Sequence, residues 1–151
     1  MINKINTFLL ATAGLMASAT GYCAPSTTTA PADTRLPAVK LINTTGQHSA
    51  FVKGTIPSLE KISTKDFWFS NTFEEWQKGV HPASRVQYVV TMKGKLKFKV
   101  SDGTTFIVEP GTVLIAADTE GEGHSWEILD GKEWVRMYIP IVDGNDHFTA
   151  D

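Results

Sequence analysis

One alternating stretch constrains the fold of this chain more than any other. In residues 95–100 (KLKFKV) lysines alternate with large apolar residues, the pattern of a β-strand with one face in water and the other in a core. Asp102-Gly103 follows, a pair typical of a tight hairpin turn, and residues 105–108 (TFIV) supply the return strand. The sequence therefore predicts a protein built from β-hairpins.

The rest of the chain continues this β pattern. Further strands are predicted at residues 39–42, 50–53, 67–70, 86–92 and 113–115, and a last hairpin at residues 126–129 and 134–141 around Asp130-Gly131. Thr72-Phe73-Glu74-Glu75 fits a helix capping box and Gly79 suits a helix end, so one short helical turn is expected there. Short strands with regular turn signals and no long helix predict an all-β sandwich or barrel.

The N-terminal region has the pattern of a targeting segment. Residues 8–17 (FLLATAGLMA) have the length of a signal-peptide core, and Ala17-Ser18-Ala19 fits a cleavage site. We predict a signal peptide at residues 1–19, with cleavage nearer Ala24 or a retained anchor as alternatives. Residues 20–38 are rich in proline and threonine and predict a disordered leader, followed by one domain at residues 39–151. The protein is expected in the periplasm or outside the cell, with no membrane span in the mature chain.

Composition excludes some classes of protein. The chain has 151 residues and a formal net charge of -2, and its lysines are scattered, so nothing indicates a nucleic-acid partner. Cys23 is the only cysteine, so no internal disulfide can form and the core must hold the fold. Lipid attachment at Cys23 is a minor alternative, because Tyr22 stands where a lipoprotein signal has a small residue.

Two stretches of the sequence resemble the motifs of the cupin superfamily. In residues 81–94 (HPASRVQYVVTMKG) His81 is followed by Gln87 and Gly94, and in residues 118–124 (DTEGEGH) Gly121 precedes His124. The first cupin motif has His-x-His, three residues, Glu, six residues and Gly, and the second has Pro-x-Gly, two residues and His. The resemblance covers residues 79–138 and implies a cupin-type double-stranded β-helix, or jelly-roll, barrel. A cupin-like subgroup carries the same His-Pro-Ala start and the Asp-Thr-x-Gly-x-Gly-His stretch.

Residue by residue, the match to the metal-binding positions of cupins is partial. Ala83 stands at the second histidine, Gln87 at the glutamate and Thr119 at the proline. The resemblance implies that His81, Gln87 and His124 hold a divalent metal (Fe, Mn, Ni, Cu or Zn), weakly, because none of the three is negatively charged. The alternative is that His81 is a loop residue and His124 hydrogen-bonds a neighbouring strand.

Strand alternation extends this candidate site. If His124 and Gln87 point inward, so do Trp126 and Thr91, and Arg85 shares the parity of Gln87. The residues predicted to bind a ligand are Arg85, Thr91, Trp126, Arg136 and Tyr138, with the arginines favouring an anion. The remaining candidates are predicted to have structural roles. Asp118, Glu120 and Glu122 are expected in a solvated loop, and His48 and His147 on the surface. Trp68, Trp76 and Trp134 are expected to pack in the core or at an interface.

Several functions fit these residues. The first is an exported barrel that binds a small polar or anionic molecule in its mouth, with metal-dependent oxygenation, isomerisation or lyase chemistry if it is an enzyme. The second is a non-catalytic binding module with a degenerate metal site. The third is a structural or interaction protein. The resemblance to cupins also implies a homodimer formed through strand edges.

Overall fold

The structure is a computed structural model that describes residues 34–58, 60–131 and 133–151. The predicted signal peptide, Cys23 and the predicted leader up to residue 33 lie outside the described residues. Within those ranges no helix is long and apolar enough to cross a membrane.

The described chain is all-β, with one short turn of 3-10 helix at Glu75–Lys78. The strands are β1 (Arg35–Asn43), β2 (Ser49–Pro57), β3 (Trp68–Ser70), β4 (Gln87–Lys93), β5 (Leu96–Lys99), β6 (Thr105–Val108), β7 (Val113–Ala116), β8 (Ser125–Ile128), β9 (Val135–Pro140) and β10 (Thr149–Ala150). β1 begins at Arg35, before the predicted domain start at residue 39, because its ladder with β2 runs from Arg35 opposite Pro57 to Asn43 opposite Ser49.

The strands form two sheets. The larger sheet has seven strands in the order β10-β2-β1-β7-β4-β9-β3, and the smaller has three in the order β6-β5-β8. The pairs are antiparallel except β1 with β7, which run parallel. This arrangement is that of a β-sandwich.

The main core lies between the two sheets. Leu41, Val89 and Leu114 reach it from the larger sheet, and Phe98 and Trp126 reach it from the smaller one. The inward positions of β5 are buried while Lys99 is exposed, which confirms the alternation predicted for residues 95–100. The β5–β6 hairpin around Asp102-Gly103 is also confirmed.

A second apolar cluster covers the outer face of the larger sheet. Tyr88 and Ile115 are fully buried there, and Phe148 from the C-terminal segment packs against them. The central strands β4 and β7 are thus buried on both faces, which explains why their sequences are nearly continuous apolar runs rather than alternating ones.

The predicted last hairpin is wrong. β8 pairs with β5 in the smaller sheet, whereas β9 pairs with β4 and β3 in the larger one. Asp130-Gly131 does turn the chain, but the chain also crosses between layers, so that Trp126 and Trp134 enter the core from different layers. A turn signal predicts a reversal of direction and does not predict a change of sheet.

The helical turn is confirmed near the expected place, but its cap is not Thr72. The turn begins after Glu74, whose main-chain N–H donates to the side-chain oxygen of Gln77 (2.8 Å), and it ends at Gly79. Thr72 is held elsewhere, since its carbonyl accepts hydrogen bonds from Ser70 Oγ (2.9 Å) and Arg136 Nη2 (2.9 Å).

Tyr88 makes the stability of the fold pH-dependent in the alkaline range. Its hydroxyl donates to the carbonyl oxygen of Asp146 (2.8 Å). Burial, followed by the negative charges of Asp146 and Asp143, raises the pKa of Tyr88 from 10.0 to about 12. The unfolded chain therefore ionises Tyr88 first, and the stability that the neutral phenol contributes is complete below pH 10.0 and lost as the pH rises through about 12.

We expect Tyr88→Phe to isolate this effect. The wild type should exceed the variant in urea midpoint below pH 10.0, and the difference should shrink steadily towards pH 12, because the phenylalanine variant has no group to ionise. Urea titrations of both proteins across this range measure it. Two midpoint curves that stay parallel would contradict the assignment.

Candidate functional site

A short backbone pairing brings His81 and His124 together. The N–H of each donates to the carbonyl of the other (both 2.9 Å), an isolated antiparallel bridge outside the named strands. The two imidazole centroids lie 5.0 Å apart. Two histidines distant in sequence are thus held at one end of the sandwich by their main chains, whatever their side chains bind.

Two glycines allow this close approach. Gly123 has φ +75°, and a Cβ atom there would lie 2.1 Å from the carbonyl oxygen of His81. Gly121 has φ +71°, and a Cβ atom there would lie 1.9 Å from the carbonyl oxygen of Gln47. The Gly-x-Gly-His spacing is therefore a steric requirement for seating the loop before His124 against two other backbone segments.

The δ nitrogens of both imidazoles are occupied. His124 Nδ1 donates to a carboxylate oxygen of Asp118 (2.7 Å), and His81 Nδ1 donates to the carbonyl oxygen of Gly79 (2.9 Å). A neutral imidazole that donates from Nδ1 has its lone pair on Nε2. In this form neither Nε2 atom has a hydrogen-bond partner among the described residues, so each can accept a proton, a hydrogen bond or a metal.

Asp118 is not the solvated loop residue that the sequence suggested. It is completely buried, and Ser49 Oγ donates to the same carboxylate oxygen that holds His124 (2.8 Å). Its carbonyl also accepts the N–H of Ala83 (3.0 Å), because the loop folds back over residues 81–83. Its other carboxylate oxygen has no hydrogen-bond partner among the described residues. Asp118 therefore orients His124, as a carboxylate behind a metal-binding or catalytic histidine does.

The other acidic and histidine residues lie where they were predicted. Glu120 and Glu122 are exposed, and Glu122 pairs with exposed His48 (2.9 Å). The hydrogen bond from His48 lowers the pKa of Glu122. His147 is partly exposed on the C-terminal segment.

Burial lowers the pKa of His81. Its hydrogen bond to Gly79 opposes the shift, and repulsion from His124 in its protonated form adds to the shift. His81 is therefore neutral at neutral pH, which is the form that binds metals or accepts protons.

The two imidazoles open into a cavity of about 300 Å³. Seven of its lining residues are Phe, Trp or Tyr: Trp68, Phe73, Trp76, Phe98, Trp126, Trp134 and Tyr138. Its polar side chains include His81, Gln87, His124 and Arg136. The volume is at the lower end of the range for ligand pockets, about 300–1,000 Å³.

Six of the eight side chains predicted for the site line this one cavity: His81, Gln87, His124, Trp126, Arg136 and Tyr138. The other two do not line it. Thr91 is buried but accepts a hydrogen bond from Trp134 Nε1 (3.0 Å), and Arg85 is exposed, with its guanidinium 5.5 Å from the ring centroid of Trp68. Arg85 lies after the bridge and before β4 begins, so the alternation of β4 did not extend to it.

Two of the tryptophans lie outside the core. Trp134 is buried, as predicted, but Trp68 and Trp76 are 38% and 62% exposed and line the cavity. Trp76 meets His81 edge to face, with ring centroids 5.2 Å apart. Asp118, Ser49 and Phe98 also belong to the site but were not predicted for it. Of these only Asp118 had a signal in the sequence, its place at the start of the DTEGEGH stretch that ends in His124.

Gln87 presents an unpaired acceptor in this cavity. The residue is 7% exposed, and its side-chain oxygen is buried without a hydrogen-bond partner in the described part of the chain. A buried amide oxygen left unpaired costs about 1–3 kcal/mol. A ligand that donates a hydrogen bond, or a cation, would remove that cost.

The spacing of the two imidazoles matches that of two histidines bound to one metal ion. Two imidazoles bound to one ion through Nε2 would have ring centroids roughly 4.5–5.3 Å apart for metal–nitrogen distances of about 2.1 Å, and the observed separation is 5.0 Å. The unpaired Gln87 oxygen is a possible third ligand. No group of three or more His, Cys, Asp or Glu side chains suited to a metal occurs in residues 34–58, 60–131 and 133–151, and Asp118 is already bound to His124.

The comparisons with known proteins assign no family. No protein-family model matches the sequence, and no curated protein matches it.

Gly123→Ala tests the bridge, with Gly131→Ala as a matched control. Both glycines have positive φ (+75° and +80°), but a Cβ at Gly131 would have no atom within 4 Å. We expect Gly131→Ala to cost about 1–2 kcal/mol of unfolding free energy from strain alone. Gly123→Ala should cost roughly 1–3 kcal/mol more, because the methyl group would displace His81. Urea denaturation measures both, and equal losses would contradict the steric role of Gly123.

Proposed function

We propose that the chain is an exported cupin-fold protein that binds a small polar or anionic molecule in the mouth of its barrel. One observation carries the proposal: His81 and His124, whose imidazoles are hydrogen-bonded through Nδ1, line the same cavity as Gln87, whose side-chain oxygen has no partner among the described residues. His81, Gln87 and His124 either hold a divalent metal (Fe, Mn, Ni, Cu or Zn) or contact the ligand directly. The motif spacing and the two-sheet sandwich support a cupin barrel.

The chemistry that these residues support is proton transfer and charge stabilisation. A bound metal would act as a Lewis acid on a substrate oxygen. His81 or His124 can accept and return a proton at Nε2, with Asp118 stabilising the cationic form of His124. If the protein is an enzyme, oxygenation, isomerisation and lyase reactions fit this set.

A second candidate function is non-catalytic binding with a degenerate metal site. The replacement of two ligands favours it: Ala83 stands at one ligand position and is buried, and neutral Gln87 stands at another. The cavity would then hold a ligand without a metal. Metal content separates the two functions.

Export and self-association complete the proposal. The apolar run and small-x-small pattern of residues 8–19 support export to the periplasm or beyond the cell. A homodimer is proposed through strand edges, since β3 is an edge strand of the larger sheet, and Phe67 just before it and Phe69 within it are 59% and 60% exposed.

Elemental analysis of the purified protein, prepared without chelator or histidine tag, tests the metal site. We expect near-stoichiometric metal in the wild type and in His48→Ala, a control that removes a surface histidine. His81→Ala and His124→Ala should each bind at least about tenfold more weakly, because each loses one imidazole ligand. Gln87→Glu should bind more tightly, because a carboxylate offsets the charge of the ion.

Soaking with Fe, Mn, Ni, Cu and Zn completes the test. If the wild type binds none of these metals, the metal-dependent function fails and the non-catalytic function remains. Equal metal in the wild type and both cavity variants would place the ion elsewhere.

A further inference from the structure

Arg136 is a buried cation in the cavity wall without an anionic partner. Its side chain is 1% exposed and lines the cavity from β9. No ion pair joins its guanidinium to a carboxylate anywhere in the described part of the chain. Arginines are rarely buried without a carboxylate or phosphate partner, because a buried charge is costly unless it is compensated.

The protein satisfies only part of the hydrogen-bonding capacity of Arg136. Nε donates to the hydroxyl of Tyr138 (2.6 Å), Nη1 to the carbonyl of Trp134 (3.1 Å) and Nη2 to the carbonyl of Thr72 (2.9 Å). A guanidinium has five N–H groups, so two remain. All three acceptors are neutral, and the positive charge is therefore not compensated.

Tyr138 adds a further donor beside the guanidinium. Its hydroxyl oxygen accepts from Arg136, and among the described residues no acceptor for its own proton is present. The ring of Tyr138 also lies 5.1 Å from the guanidinium carbon, and the ring of Trp134 lies 4.3 Å from it. These aromatic faces hold the guanidinium plane in place, which favours recognition of a planar anion.

Nearby acids do not compensate for this charge. Asp118 shares its bonded oxygen between His124 and Ser49. Glu74 is the only carboxylate residue in the cavity lining and lies exposed at the rim, where water screens it. The cavity therefore favours an anion at Arg136.

The aromatic side chains of the cavity favour a ligand with a flat apolar ring. Phe73 and Trp126 meet edge to face (5.1 Å), and so do Trp126 and Trp134 (5.0 Å). Such surfaces offer faces and edges to a ring. The volume of about 300 Å³ has room for a single small ring with its substituents.

We propose that the cavity recognises a small aromatic carboxylate, with its carboxylate on the two free N–H groups of Arg136 and the hydroxyl of Tyr138 and its ring between the aromatic walls. This inference rests on the proposed small-molecule function and names the class of its ligand. It does not depend on a metal at His81, Gln87 and His124.

Calorimetric titration of the purified protein with matched probes tests it. We expect benzoate to bind at least tenfold more tightly than benzamide, which has the same shape and no charge. Cyclohexanecarboxylate keeps the charge without the flat ring and should bind several-fold more weakly than benzoate. Tyr138→Phe keeps the ring and should weaken benzoate several-fold and benzamide less, because the charged carboxylate is the stronger acceptor, and Arg136→Gln should abolish the preference for benzoate.

The outcomes separate this inference from the function on which it rests. Equal binding of benzoate and benzamide by the wild type would overturn the role of Arg136. Equal binding of benzoate and cyclohexanecarboxylate would overturn the preference for a flat ring. Metal binding without any benzoate binding would overturn the inference and leave the metal site standing. Tight, charge-dependent binding of benzoate by a protein that binds no metal would support the inference and overturn the metal site. If Arg136→Gln does not fold, the wild-type probes and Tyr138→Phe decide.

Discussion

The backbone pair between His81 and His124 is the contact on which the site depends. It joins two loops rather than two strands, so no sheet ladder enforces it, and glycine at position 123 makes it sterically possible. With the main chains fixed, the carbonyl of Gly79 accepts a hydrogen bond from Nδ1 of His81, and the carboxylate of Asp118 accepts one from Nδ1 of His124. Nε2 of each ring has no partner among the described residues. The site is thus organised from the backbone outward.

The core carries two buried charged residues for different reasons. Asp118 is bound by Ser49 and His124 and acts behind the imidazole. Arg136 has only neutral partners and faces the cavity. Burying a charge costs several kcal/mol unless it is paired. We infer that Asp118 and Arg136 serve binding rather than stability. An apolar side chain at either position would avoid the free-energy cost of burying a charge.

The sequence was most informative where local pattern and tertiary burial agree. The alternation of residues 95–100 and the Asp102-Gly103 turn predicted β5 and β6 because one face is wet and the other buried. The partners of β8 and β9 could not be predicted correctly, because the partner of a strand depends on which sheet the strand joins. The histidines and Gln87 were found through motif spacing, whereas the burial of Asp118 follows from a loop closure that has no periodicity.

The tautomers of the two imidazoles test the central claim most directly. Long-range ¹⁵N–¹H spectra of the chelator-treated protein at neutral to mildly alkaline pH report which nitrogen of each histidine carries the proton. The account predicts the Nδ1–H tautomer for both His81 and His124. A neutral cavity histidine with its proton on Nε2 would contradict it, because its lone pair would then lie on Nδ1, which faces the carbonyl of Gly79 or the carboxylate of Asp118.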